Sequence, residues 1–286
     1  MTRLRRASPL HAARASIGAL WCAALALAAA LSPNPLLLGA LALAVALAAA
    51  GAGVAGRVLR SLRLSLPMAL SVALVNALIS RNGLTVLARF GDWGPLGQVD
   101  PTLEALCYGA AVGLELVVLV GVCALWSAAV DPDELLRALR RVSFRSALTA
   151  TLATRMVPLL AYDAQRIGEA QRSRLRGASR VQVLRAVSAN ALERSLDIAA
   201  TLEVRGFGAG RRPPRYSRPL SRHDLAFAAS AAAIAALALA NARAGLAPFR
   251  FSPTLAAPLG ARQLALAGAL VALATAPFLE RRGTAR

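Results

Sequence analysis

Arginine stands directly before glycine at Arg176-Gly177 and at Arg205-Gly206, and each pair closes a charged helical stretch in the most basic part of an otherwise apolar chain. Glycine reaches the left-handed backbone that ends a helix at little steric cost, and the arginine before it meets the negative end of the helix dipole. A planar guanidinium can also hold a carboxylate bidentately. Two readings of each pair follow: a plain helix cap, or a cap from which an arginine reaches an acidic partner. The repetition of the pair points to docking at a membrane surface.

No residue set is suited to catalysis. The chain has no HExxH, no GxSxG elbow and no GxxxxGK[ST] phosphate loop, and its two histidines, His11 and His223, lie near opposite ends in basic surroundings. All 33 basic residues are arginine and none is lysine, which fits coding bias together with the alanine excess, so any functional claim rests on individual arginines. Cys22, Cys107 and Cys123 sit in apolar stretches without CxxC spacing, indicating neither a disulfide framework nor a metal site.

Three further patterns invite chemistry. Gly51-Ala52-Gly53-Val54-Ala55-Gly56 matches GxGxxG but ends an apolar helix with no strand before it, so it reads as a small-residue helix end and not as a dinucleotide site. Gly109 and Gly113 form GxxxG, which lets two helices approach closely, in internal packing or at a partner; internal packing is the reading favoured. Glu115 lies in the same apolar span, where a carboxylate must be paired, protonated or part of a proton relay.

The elements that must carry these residues are membrane helices. Of 286 residues, 57% are hydrophobic and 16% charged, with mean hydropathy +0.55. Spans of about 20 apolar residues cross a bilayer. Six apolar runs are expected to do so: Ile17–Leu31, Pro35–Ala55, Leu64–Ser80, Ala105–Val130, Leu225–Ala240 and Leu264–Leu279. Arg3, Arg5, Arg6 and Arg14 before the first run give it the look of a secretory signal, but a second run follows after only Ser32-Pro33-Asn34, so a helical hairpin is expected.

Charge orients the spans. The net charge of +19 suggests nucleic acid by its size, yet its position argues for membrane topology: residues 131 to 222 hold 18 arginines against eight acidic residues, as cytoplasmic segments do. Arg57, Arg60 and Arg63 are read as bringing the chain back to the basic side before Leu64–Ser80 crosses outward, and residues 81 to 104, rich in glycine and proline, as an external loop. The expected division is then 1–130 as N-terminal transmembrane helices, 131–222 as a cytoplasmic region with both Arg-Gly pairs, and 223–286 as C-terminal transmembrane helices, with both termini cytoplasmic.

Within the cytoplasmic region, Ser146–Tyr162 is apolar enough for a shallow or lipid-lining helix, interrupted by Arg155 and Pro158. Further on, Leu184, Val187, Ala191, Ser195, Ile198 and Leu202 recur at spacings of three and four, predicting an amphipathic helix with Glu193, Arg194 and Asp197 off its packed face.

Taken in order, Asp131-Pro132-Asp133-Glu134-Leu135, Arg155-Met156-Val157-Pro158, Glu169-Ala170-Gln171 with Arg176-Gly177, and Leu192-Glu193-Arg194-Ser195-Leu196 with Glu203-Val204-Arg205-Gly206-Phe207-Gly208 resemble the transmembrane T component of energy-coupling-factor transporters, the CbiQ/EcfT family. The resemblance implies an all-α polytopic membrane protein with about six spans and amphipathic coupling helices. In that family two coupling helices end in Ala-Arg-Gly, and each arginine enters a groove of an ABC-type ATPase. By resemblance Arg176 and Arg205, with Gly177 and Gly206, would dock two such ATPases, supported by Glu169, Arg172, Arg194 and Glu203. Leu175 and Val204 stand where the family has alanine.

The same resemblance implies a non-enzymatic subunit of a vitamin or metal-ion importer in the cell membrane. It would bind no cofactor itself, ATP being held by the partners, and would join them to a small substrate-binding membrane subunit, with no nucleic-acid partner. An ordinary ABC permease that carries substrate itself is the alternative.

Overall fold

The computed structural model describes residues 8–79, 85, 102–139, 144–173, 179–207, 220–249, 251 and 260–279, and every regular element among them is helical. In chain order these are α1 (Pro9–Ala12), α2 (Ala15–Ala30), α3 (Pro35–Gly51), α4 (Ala55–Ile79), α5 (Leu103–Ala129), α6 (Pro132–Leu139), α7 (Phe144–Arg172), α8 (Arg180–Val204), α9 (Arg222–Ala244) and α10 (Ala261–Thr275). A short 3-10 turn, Ala276–Phe278, extends α10. The chain forms two compact units, one of residues 1–135 with 220–286 and one of residues 136–219.

Local chemistry sets the helix ends. The Asn34 side chain accepts from the Leu36 amide at 2.9 Å, and Pro35 fills the first helical position, where a missing N–H is harmless. Ser221 and Asp224 form a reciprocal capping box at the start of α9. At the end of α3, Gly53 takes φ 68°, its amide meets the Ala50 carbonyl and that of Val54 meets Ala49, a Schellman closure. This explains the GxGxxG match: Gly53 ends the helix, while Gly51 makes room for the Phe278 ring, which an added Cβ would meet at 2.8 Å.

Four helices are long and apolar enough to cross a bilayer, the spans being Ala55–Asn76, Leu103–Ala129, Arg222–Ala244 and Ala261–Phe278; Ala15–Ala30 and Pro35–Gly51 are shorter apolar helices. The fold is thus an all-α, multi-pass membrane protein. One expectation is corrected. Arg57, Arg60 and Arg63 do not precede the third span, expected to start at Leu64, but lie in the first turns of α4, exposed, while Val58, Leu62, Ser65 and Ala69 on the opposite side face inward. Spaced by three, the arginines share a helix face, so the amphipathic stretch continues the helix instead of interrupting it.

The core of the first unit is built where α2, α3, α5, α9 and α10 meet. Trp21, Phe227 and Phe278 stack edge to face at centroid distances of 5.4 to 5.8 Å. The buried Trp21 Nε1 donates to Ser230 Oγ at 3.0 Å, and Ser230 donates in turn to the Leu273 carbonyl at 2.6 Å, so the indole is satisfied away from water.

The GxxxG pair resolves as internal packing. An added Cβ on Gly109 would lie 2.7 Å from the Ala73 carbonyl oxygen, and one on Gly113 would lie 2.9 Å from that of Ala69. Higher residues on α5 thus meet lower ones on α4, so the two helices pack antiparallel with their backbones in close approach.

Candidate functional site

The described part of the candidate site is the second unit, where α7 and α8 pack together. α7 is one unbroken helix from Phe144 to Arg172; Arg155 and Pro158 lie inside it and do not interrupt it. Its inward residues are Thr151, Leu152, Met156, Leu160, Asp163, Ala164, Ile167 and Gln171, recurring at helical spacing, while Arg155 and Pro158 are exposed. Proline's lost hydrogen bond therefore falls on the outer side of the helix.

α8 starts at Ser179, whose hydroxyl accepts from the Val181 amide at 3.3 Å. The inward side chains are Val183, Val187, Asn190, Ala191, Arg194, Ile198 and Leu202, and this corrects the expected stripe. Leu184 and Ser195 are exposed, and Arg194 is on the packed face instead of off it. The face is turned by about 40° from the sequence expectation at 3.6 residues per turn. The cause is Asp163, buried at 4% exposure on α7, whose Oδ2 lies 3.4 Å from Arg194 Nη2. A buried carboxylate requires a cation, and the arginine is drawn into the seam.

The C-terminal end of α8 carries Arg205 and Gly206. Arg205 is the cap residue, and Gly206 follows at φ 72° in the left-handed region. The Gly206 amide meets the Glu203 carbonyl and the Phe207 amide meets that of Leu202, both at 2.8 Å, the same closure that ends α3. Val204, Arg205 and Gly206 are all exposed, and a Cβ on Gly206 would meet nothing within 4 Å. Glycine is needed there for its backbone conformation alone, and the guanidinium stands at the tip of a fixed helix end.

Glu169 and Arg172 are exposed near the end of α7, and Glu203 is exposed on the last turn of α8. Arg176 and Gly177 lie outside the described residues, as do the pieces of the expected external loop other than Thr85, Thr102, Leu103 and Glu104. Glu115 is half-buried on α5 and makes no ion pair among the described residues.

Sequence reasoning missed two polar knots in the first unit. Asp224, 1% exposed, accepts from the Arg14 amide at 2.7 Å and pairs with Arg14 Nε at 3.4 Å while also closing the capping box of α9. It thereby ties the start of α2 to the start of α9, 210 residues apart. Buried Glu104 accepts from the Thr85 hydroxyl at 2.8 Å and from its amide at 3.3 Å, anchoring residue 85 to the start of α5. Both acids fall in the first turn of a helix after a Ser or Thr cap, a signal that was present in Ser221-x-x-Asp224.

Apolar helices of spanning length in one unit and a helix pair ending in Arg172 and Arg205 in the other define a polytopic membrane component, with no group of three or more His, Cys, Asp or Glu side chains placed to hold a metal ion among the described residues. The chain belongs to the CbiQ family, described as cobalt transport protein, whose model matches residues 6–215, the greater part of the chain. It is therefore a component of a transport system. The matched region ends before α9. No protein of curated function matches the chain.

Proposed function

We propose that this chain is the transmembrane coupling subunit of an energy-coupling-factor type importer for a vitamin or metal ion. It joins two ABC-type ATPases to a separate substrate-binding membrane subunit, in the cell membrane with both termini cytoplasmic. The observation that carries the reading is the end of α8, where an exposed Arg205 is fixed by a glycine-closed cap. A helix of 25 residues, about 37 Å long at 1.5 Å per residue, moves as a rod. A guanidinium at its tip can hold carboxylates of an ATPase bidentately, so that closure of the ATPase on nucleotide displaces the helix.

Membership in a transport family supports this reading, and so does the sequence: a chain with no lysine cannot build the lysine-bearing phosphate loop of an ATPase, so ATP belongs to the partners. Arg176-Gly177, as the second copy of the pair, takes the second ATPase. Purification of the tagged chain from its native membranes tests the proposal. Co-purification of an ATPase pair and a small membrane protein is expected, with ATP hydrolysis absent from the isolated chain and restored by adding the ATPases. Recovery of ATPases alone points to a permease and overturns the coupling role.

A further inference from the structure

Both helices of the second unit break their own pattern at one place. On α7, Asp163 occupies an inward position between Leu160 and Ile167, and on α8, Arg194 does so between Ala191 and Ile198. The two charges meet at 3.4 Å without hydrogen-bond geometry: Asp163 Oδ2 and Arg194 Nη1 are buried with no hydrogen-bond partner among the described residues, and so is Gln171 Oε1 further along the same face of α7. A partly buried ion pair so incompletely satisfied is poor at stabilising a helix seam, and well-packed apolar residues commonly do as well or better. What a single charged pair among otherwise neutral seam residues supplies is register. Sliding either helix by one turn, about 5.4 Å, would leave the buried Asp163 carboxylate without its half-exposed arginine partner, whereas a seam without charges tolerates the shift.

We propose that Asp163 and Arg194 are a positioning pair that locks the register of α7 against α8. The lock fixes where the arginine-tipped end of α8 stands relative to the end of α7, and in this respect it rests on the docking role proposed for Arg205. A different consequence is independent of docking: the pair specifies one arrangement of the two helices and contributes little to their stability.

The test uses the full-length protein reconstituted in lipid, with Cys22, Cys107 and Cys123 replaced by alanine and spin labels on Ala170→Cys and Ser188→Cys, both exposed positions. The parent is expected to give one narrow inter-label distance. In Asp163→Leu/Arg194→Met the thermal midpoint is expected to equal or exceed that of the parent while the distance distribution broadens or splits, and recovery of the ATPases falls several-fold. The charge exchange Asp163→Arg/Arg194→Asp is expected to restore the single distance. If it does not fold, the apolar pair still decides. A single narrow distance in the apolar variant, unchanged from the parent, overturns the lock. Arg176→Glu/Arg205→Glu in the same background separates the two claims. It leaves the distance narrow whether or not docking holds, and loss of ATPase recovery there supports docking independently of the lock.

Discussion

The most consequential single residues are charged ones placed where charge is expensive. Asp224 is almost fully buried, and its carboxylate serves Arg14 and the cap of α9 together. Removing one partner of a buried pair leaves the other uncompensated, so Asp224→Ala is expected to lower unfolding stability by about 3–5 kcal/mol, measured by denaturant titration in detergent. An exposed acid such as Glu203, changed to alanine, is expected to shift it by less than about 0.5 kcal/mol in the same titration. Residue types and the two arginine-glycine pairs were legible in the sequence, and the left-handed Gly206 stands where helix-capping rules put it. The Arg14–Asp224 and Asp163–Arg194 pairs were not legible, because they join distant positions that no periodicity links.

At the scale of elements, the apolar runs gave each helix its place, and the errors came where amphipathic character was read as an interruption. α4 begins with three exposed arginines and remains one helix because they share a face, and α7 passes through Pro158 because that residue is on its outer side. The packed face of α8 could not be predicted from apolar spacing alone, since Leu184, Leu192 and Leu196 are exposed while Arg194 turns inward. Helix contacts yield a pair of opposite predictions for glycine. Gly113→Leu must push α5 away from the Ala69 carbonyl of α4, with a fall in thermal midpoint and loss of folded protein on size-exclusion chromatography expected. Gly168→Ala on α7, where an added Cβ meets nothing within 4 Å, is expected to stabilise by about 0.5–1 kcal/mol in the same assays because alanine is the better helix former. Destabilisation by Gly168→Ala would show that α7 is packed more closely than its geometry indicates.

At the scale of the whole molecule, residues 131–222 hold 18 arginines against eight acidic residues, and this asymmetry predicts the topology. Reporter fusions at Gly53 between α3 and α4, within residues 208–219 and at the C-terminus are expected to read cytoplasmic, and one at Gly94 external. An external reading from residues 208–219 would reverse the topology. The central claim is that Arg176 and Arg205 hold the ATPases and do not merely cap their helices. Gly206→Ala disturbs the cap by about 1 kcal/mol, the cost of a left-handed backbone for a residue with a Cβ. Reversing the arginine charge would instead oppose the acidic partner surface proposed for it, where breaking a charge pair costs about 2–5 kcal/mol. The decisive measurement is a pull-down of both ATPases by the Arg176→Glu/Arg205→Glu protein, set beside Gly206→Ala and the parent at equal membrane yield. The double variant is expected to insert normally and recover neither ATPase, while Gly206→Ala recovers both. Recovery of both ATPases at parental levels by the double variant would contradict the docking role.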